Sequence, residues 1–180
     1  MKDDLDKISD VLVDFFKVSR ISKTIATFHD LNISGWEKWW QMELAIFLAD
    51  HKSIGEWDIE HPFDTDKRTL LNQDRMALDI GFRLKSHKKD EWYFVELKQS
   101  PKYKDCIDRM VGDASKVFSA RKKSFDGLAI RYIACAGIFL NDDEEKIMDY
   151  AEAGLKKYQI EIEDGFVVEK IDKHHMLLIF

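Results

Sequence analysis

An α/β fold, with a mixed central sheet flanked by helices, is the class this sequence predicts. Three observations carry it. Apolar residues recur at helical spacing near the N-terminus and again after Pro101. Between those segments, residues 75–84 alternate as a strand does, and a polar turn leads into the apolar run WYFV. The elements then interleave in the order helix, helix, three strands, helix, strand, helix, strands, which suits helices packed around one sheet.

Leu5, Ile8, Leu12, Phe15 and Phe16 make the first segment an amphipathic helix. A second helix is expected from Gly35 to His51. EWDIE, Glu56 to Glu60, reads as a short strand ended near Pro62, because proline cannot donate to a ladder. In the next strand Met76, Leu78, Ile80 and Phe82 are expected on one face, with Ala77, Asp79 and Gly81 on the other. Ser86 to Asp90 forms the turn into the strand from Trp92. Ser100-Pro101 signals a helix start, with serine as N-cap and proline at the first helical position. Tyr103, Ile107, Met110, Val111, Ala114, Val117 and Phe118 supply that helix's apolar stripe. Arg131 to Leu140 is a further strand, and Asn141 with the DDEE run opens a helix through Lys157. QIEIE, a hairpin turn at Asp164-Gly165 and the closing MLLIF predict a β end.

At 180 residues the chain is expected to be one domain with a real core. Its longest apolar run, Tyr132 to Leu140, is far short of the roughly 20 residues of a membrane span. The acidic N-terminus does not resemble a signal peptide, and the two cysteines form no C-x-x-C pair. A reduced, cytoplasmic setting follows as the expectation, with Cys135 as plain core. The net charge of −6 runs against a polyanionic partner. From Arg83 to Asp126, however, there are 12 Lys/Arg against 7 Asp/Glu, a local +5. That segment either faces phosphates or is a mixed solvated surface.

WYFVELKQSP poses the chemical question. Trp92, Phe94, Glu96 and Lys98 share one strand face, so two charges continue an apolar row. Asp79 sits between Ala77 and Gly81, with nothing bulky to screen it. If the two strands are antiparallel neighbours, Asp79, Glu96 and Lys98 converge as oxygen ligands for a hard cation with an ammonium beside them. The alternative is a plain Glu96–Lys98 ion pair. In GWEKWWQMELAIF, Glu43 lies within the apolar stripe of Trp39, Trp40, Ile46 and Phe47. A buried carboxylate there needs a metal, a proton or a basic partner.

Helical Glu43, strand Asp79 and the triplet Glu96-Leu97-Lys98 together resemble the PD-(D/E)XK nuclease superfamily, the restriction-endonuclease-like fold. The resemblance covers roughly Gly35 to Leu140 and includes the element order, but Leu78 stands where the superfamily's namesake proline would precede Asp79. It implies a metal-dependent nuclease hydrolysing phosphodiester bonds, in DNA or alternatively RNA. Asp79, Glu96 and Glu43 would bind Mg²⁺, or Mn²⁺ in its place, with the Leu97 carbonyl as a further ligand. Lys98 would position or help deprotonate the nucleophile. The competing implication is a non-catalytic protein of the same fold that binds nucleic acid or a protein partner.

Lys88, Lys89, Arg121, Lys122 and Lys123 are the expected phosphate contacts, and Arg121 to Lys123 suit a helix C-terminus equally well. Gln99 either orients water or faces solvent. Trp36, Trp39 and Trp40 read as core before base-stacking platforms. MLLIF reads as a buried strand before a homodimer interface. The six histidines make no H-E-x-x-H, and neither G-x-S-x-G nor a P-loop occurs.

Overall fold

The computed structural model describes residues 2–64, 75–120, 129–162 and 165–180. Three helices come first: α1 (Lys2–Lys17), α2 (Ser19–Asp30) and α3 (Glu37–Asp50). Strands β1 (Ile54–Asp64), β2 (Arg75–Leu84) and β3 (Glu91–Gln99) follow, then α4 (Tyr103–Ala120), β4 (Ala129–Leu140), α5 (Glu144–Lys157), β5 (Val167–Lys170) and β6 (His175–Ile179). The six strands form one mixed sheet in the order β1-β2-β3-β4-β6-β5. Only β3 and β4 run parallel, and α4 supplies the crossover that a parallel pair requires.

Alternation along β3 divides the core. Tyr93, Val95 and Leu97 pack with apolar residues of α1, α2 and α3 on one face. Phe94 turns to the other, where α4 and α5 cover the sheet through Ile107, Met110, Ile147 and Leu155. The N-terminal helix and the C-terminal strands, which lie outside the resemblance, are integral to this packing. Leu5, Ile8 and Leu12 share the core of Tyr93, and β6 pairs with β4. Trp36 and Trp40 are buried, as are both cysteines. Among the described residues no helix is long and apolar enough to cross a membrane.

Several elements differ from expectation. Helix α2 has no expected counterpart, because it buries only Ile21 and Ile25 fully and its many hydroxyl residues weaken the helical signal. Thr24 and Thr27 instead donate to the carbonyls four residues back. Strand β1 does not stop at Pro62 but continues to Asp64, since it is the sheet edge and proline needs no partner on its outer side. Helix α4 begins at Tyr103, two residues beyond Pro101. The described part of QIEIE is not a strand. It closes α5, with Gln159 in the left-handed region (φ 56) and Ile160 N–H donating to the Leu155 carbonyl. Ile160 and Ile162 still turn inward, so their alternation reports burial without a ladder. Asp164 lies outside the described residues. The hairpin that does form joins β5 to β6, where the Asp172 carboxylate accepts from the backbone N–H groups of His174 and His175.

Candidate functional site

The site is made where β2 leaves β3. Their ladder pairs Phe82 with Tyr93, Gly81 with Phe94 and Ile80 with Val95, and there it ends. Continued by one step, the register sets Asp79 opposite Glu96. At that step the backbone loses its alternation. Leu78 packs with Phe63, Phe94 and Val117, whereas Ile80 packs with Tyr93 and Val95 across the sheet. The expected single face of Met76, Leu78, Ile80 and Phe82 is therefore split at Asp79. Glu60, between the β1 partners of Leu78 and Ile80, has φ 53, a left-handed conformation that breaks strand alternation.

The break frees Asp79 to reach across the fork. Its carboxylate accepts from the Leu97 N–H at 2.8 Å, taking a donor that a continuous ladder would have used. The Asp79 carboxylate thereby comes to lie beside the Glu96 carboxyl. Burial, then the neighbouring Asp79 charge, pushes Glu96 up to about 8. Its side chain is only 10% exposed. Gln41, buried on α3, holds the break from behind by donating to the Asp79 carbonyl at 2.5 Å. Lys38 in turn donates to the Gln41 side-chain oxygen and to Glu60, bracing both strands.

Lys98 extends from the same face as Glu96, and Asp113 of α4 is its closest partner. The ammonium is 2.7 Å from Asp113 Oδ2, 3.2 Å from the Leu97 carbonyl and 3.6 Å from Glu96 Oε2. Burial opposes its charge, but the Asp113 hydrogen bond and the surrounding carboxylates hold it above the ordinary lysine value. Asp113 also takes Lys116 at 2.6 Å on its other oxygen. Burial would raise its carboxyl, yet the hydrogen bonds from Lys116 and Lys98 outweigh that and keep it below the usual range.

Glu43 does not join this cluster. Two residues on from Gln41, it lies about 200° around the helix and pairs with Arg20 Nη2 of α2 at 2.5 Å. Arg20 holds the Glu43 carboxyl below its ordinary value, against burial. The cation that the apolar stripe demanded is this arginine. The α3 side chains that face the site are Gln41 and, one turn earlier, Glu37, which accepts from the Gln99 N–H at 2.8 Å and pairs with Arg109 at 2.6 Å. Gln99 is buried and accepts from the Gly35 N–H, so it does not face solvent.

Lys88 and Lys89 sit in the β2–β3 turn, at the opposite end of β3 from Glu96. Five strand residues, Glu91 to Val95, about 17 Å of extended chain, lie between that turn and Glu96. Arg121, Lys122 and Lys123 lie outside the described residues. The histidine pair is occupied elsewhere: His174 stacks on His29 with ring centroids 3.7 Å apart, and His175 bonds Asp172.

Sequence reasoning missed Asp113 and Gln41. The first carries the signal that drew attention to Glu43: it stands three residues after Met110 and four before Val117, inside an apolar stripe. Gln41 carries no such signal, since an amide in an aromatic-rich helix has many ordinary explanations. No family model, curated protein or solved structure matches this chain.

Proposed function

We propose that this chain is a divalent-metal-dependent nuclease of the PD-(D/E)XK type, with a restriction-endonuclease-like fold, that hydrolyses phosphodiester bonds in DNA. One observation supports this above the others. A strand break sets two carboxyl groups side by side next to a partly buried lysine, and burial, then the neighbouring Asp79 charge, raises Glu96 to about 8. Two carboxyls held together in a low-dielectric pit call for a proton or a cation between them.

The donor set fits Mg²⁺. Among the described residues no group of three or more His, Cys, Asp or Glu is arranged around one ion. The fit is therefore to a cation held by one or two carboxylates that completes its shell with water and substrate oxygens, as Mg²⁺ does. Asp79 and Glu96 would hold it. The Leu97 carbonyl points to the same open side of β3 as its N–H, so it can add a third oxygen. When bound, such an ion supplies an activated water at neutral pH and polarises the phosphate. Glu96 gives up its proton on binding. Lys98 keeps a positive charge against the face where the phosphate arrives, and Gln41 fixes the Asp79 backbone.

The alternative, a non-catalytic protein of the same fold that binds nucleic acid or a protein partner, is favoured on its protein-binding side by a different observation. Lys98, Lys116, Arg109 and Lys38 each bond a carboxylate, so a substrate phosphate would have to displace a partner from each. One assay separates the two. Plasmid, linear and single-stranded DNA, with RNA alongside, are incubated with Mg²⁺, Mn²⁺ or a chelator, for wild type, Asp79→Ala and Lys98→Ala. The nuclease cleaves only with metal, and each substitution slows it by about 10²–10³-fold or more. Binding without cleavage, or cleavage unchanged in both variants, refutes the catalytic reading.

A further inference from the structure

The geometry points to Asp113 as the positioning residue for Lys98: it fixes the ammonium and so leaves Glu96 free for a divalent cation. This rests on the nuclease reading for its functional half and on the contacts themselves for the other.

An ammonium has three protons to donate. Here they face Asp113 at 2.7 Å, the Leu97 carbonyl at 3.2 Å and Glu96 at 3.6 Å. Only the first is a short charge-assisted contact, and the last is too long to be a normal hydrogen bond. Glu96 is thus a neighbour of Lys98 but not its anchor. The anchor is itself held, because Lys116 occupies the other Asp113 oxygen from the next turn of α4. All three groups at the centre are shielded, with side-chain exposures of 12% for Lys98, 18% for Asp113 and 10% for Glu96. In so dry a pit an ammonium without Asp113 turns to the next carboxylate, Glu96. A Glu96 tied to Lys98 is a poorer ligand. Helix α4, which packs on β3 and β4 and holds Asp113 in place, therefore governs a site whose ligands lie on β2 and β3.

Two readouts test the assignment, using the full chain with Asp113→Asn and Asp113→Glu. Lysine-ammonium ¹H–¹⁵N spectra of the metal-free protein report how firmly Lys98 is held, with the signal identified by its loss in Lys98→Ala. Mn²⁺ titration followed by electron paramagnetic resonance reports the cation site without reference to activity. The expected result is a slowly exchanging Lys98 signal that Asp113→Asn abolishes and Asp113→Glu retains. Mn²⁺ affinity should fall about 10–100-fold in Asp113→Asn and recover in Asp113→Glu. A Lys98 signal and Mn²⁺ affinity that survive Asp113→Asn, even with a lowered Tm, overturn the assignment and leave the nuclease reading standing. If wild type binds no Mn²⁺ and cleaves nothing, the nuclease reading fails, and the functional half of this inference fails with it. The ammonium spectra then decide the anchor alone.

Discussion

Replacing Glu96 with glutamine should stabilise the metal-free protein at alkaline pH while abolishing metal-dependent cleavage. An unfolded glutamate loses its proton near 4.5, whereas burial and the adjacent Asp79 keep the folded group protonated up to about 8. Between those values the native state binds about one proton more than the unfolded state. Stability must therefore fall as pH rises through the window, and level off above the folded value. Each pH unit inside the window costs about 1.4 kcal/mol. From about pH 6 to pH 8 the accumulated loss is about 2 kcal/mol, allowing for the levelling near the upper end. Glutamine has nearly the same shape, can donate to Asp79 and does not titrate. For a chain of this size, the wild-type Tm should drop by about 4–8 °C relative to Glu96→Gln over that pH range. Thermal denaturation by circular dichroism, at matched ionic strength and with chelator present, measures the difference. Adding Mg²⁺ at the alkaline end should raise the wild-type Tm and leave the variant unmoved. A Tm difference that stays constant from pH 6 to 8 would refute both the raised Glu96 and the reasoning that a cation is wanted there.

Other outcomes follow from particular contacts. Glu43→Gln should leave the cleavage rate essentially unchanged, because Glu43 faces Arg20 and not the cluster; a loss like that of Asp79→Ala would restore Glu43 to the metal set. Tyr93→Phe removes the 2.7 Å hydrogen bond from a fully buried phenol to Asp4, and urea denaturation should show a loss of about 1–3 kcal/mol. Asp4 remains held by Arg131, which is why the loss stops short of a stranded charge. Gly81→Ala places a methyl 2.5 Å from the Phe94 ring and should destabilise by about 1–3 kcal/mol. Combining it with Phe94→Leu should recover part of that loss, whereas purely additive losses would argue against the clash.

The local pattern of residues determined a good deal by itself. Strand β2 is legible from its apolar alternation, β3 from WYFV and its turn, and α1 from the spacing of Leu5, Ile8 and Leu12. Each reflects a period set by backbone geometry, which needs no distant partner to be read. The placement of Glu96 and Lys98 on one face follows from the same rule. Where the alternation was interrupted, local reading failed: nothing in LDIGF announces that Leu78 and Ile80 face opposite ways, because the break depends on Glu60 in the neighbouring strand. The alternating QIEIE failed for a related reason, since two inward isoleucines satisfy a helix cap as well as a strand. Partner choice among the charges was decided wholly by the tertiary structure. The stripe rule found Glu43 and, applied to α4, finds Asp113, but it cannot say which cation each meets. Arg20 reaches Glu43 because α2 meets α3, with the Phe28 ring edge-on to Trp39, and Lys98 reaches Asp113 because α4 packs on β3. An ion pair is a statement about distance, and distance between residues 15 or more apart in sequence exists only once the chain has folded.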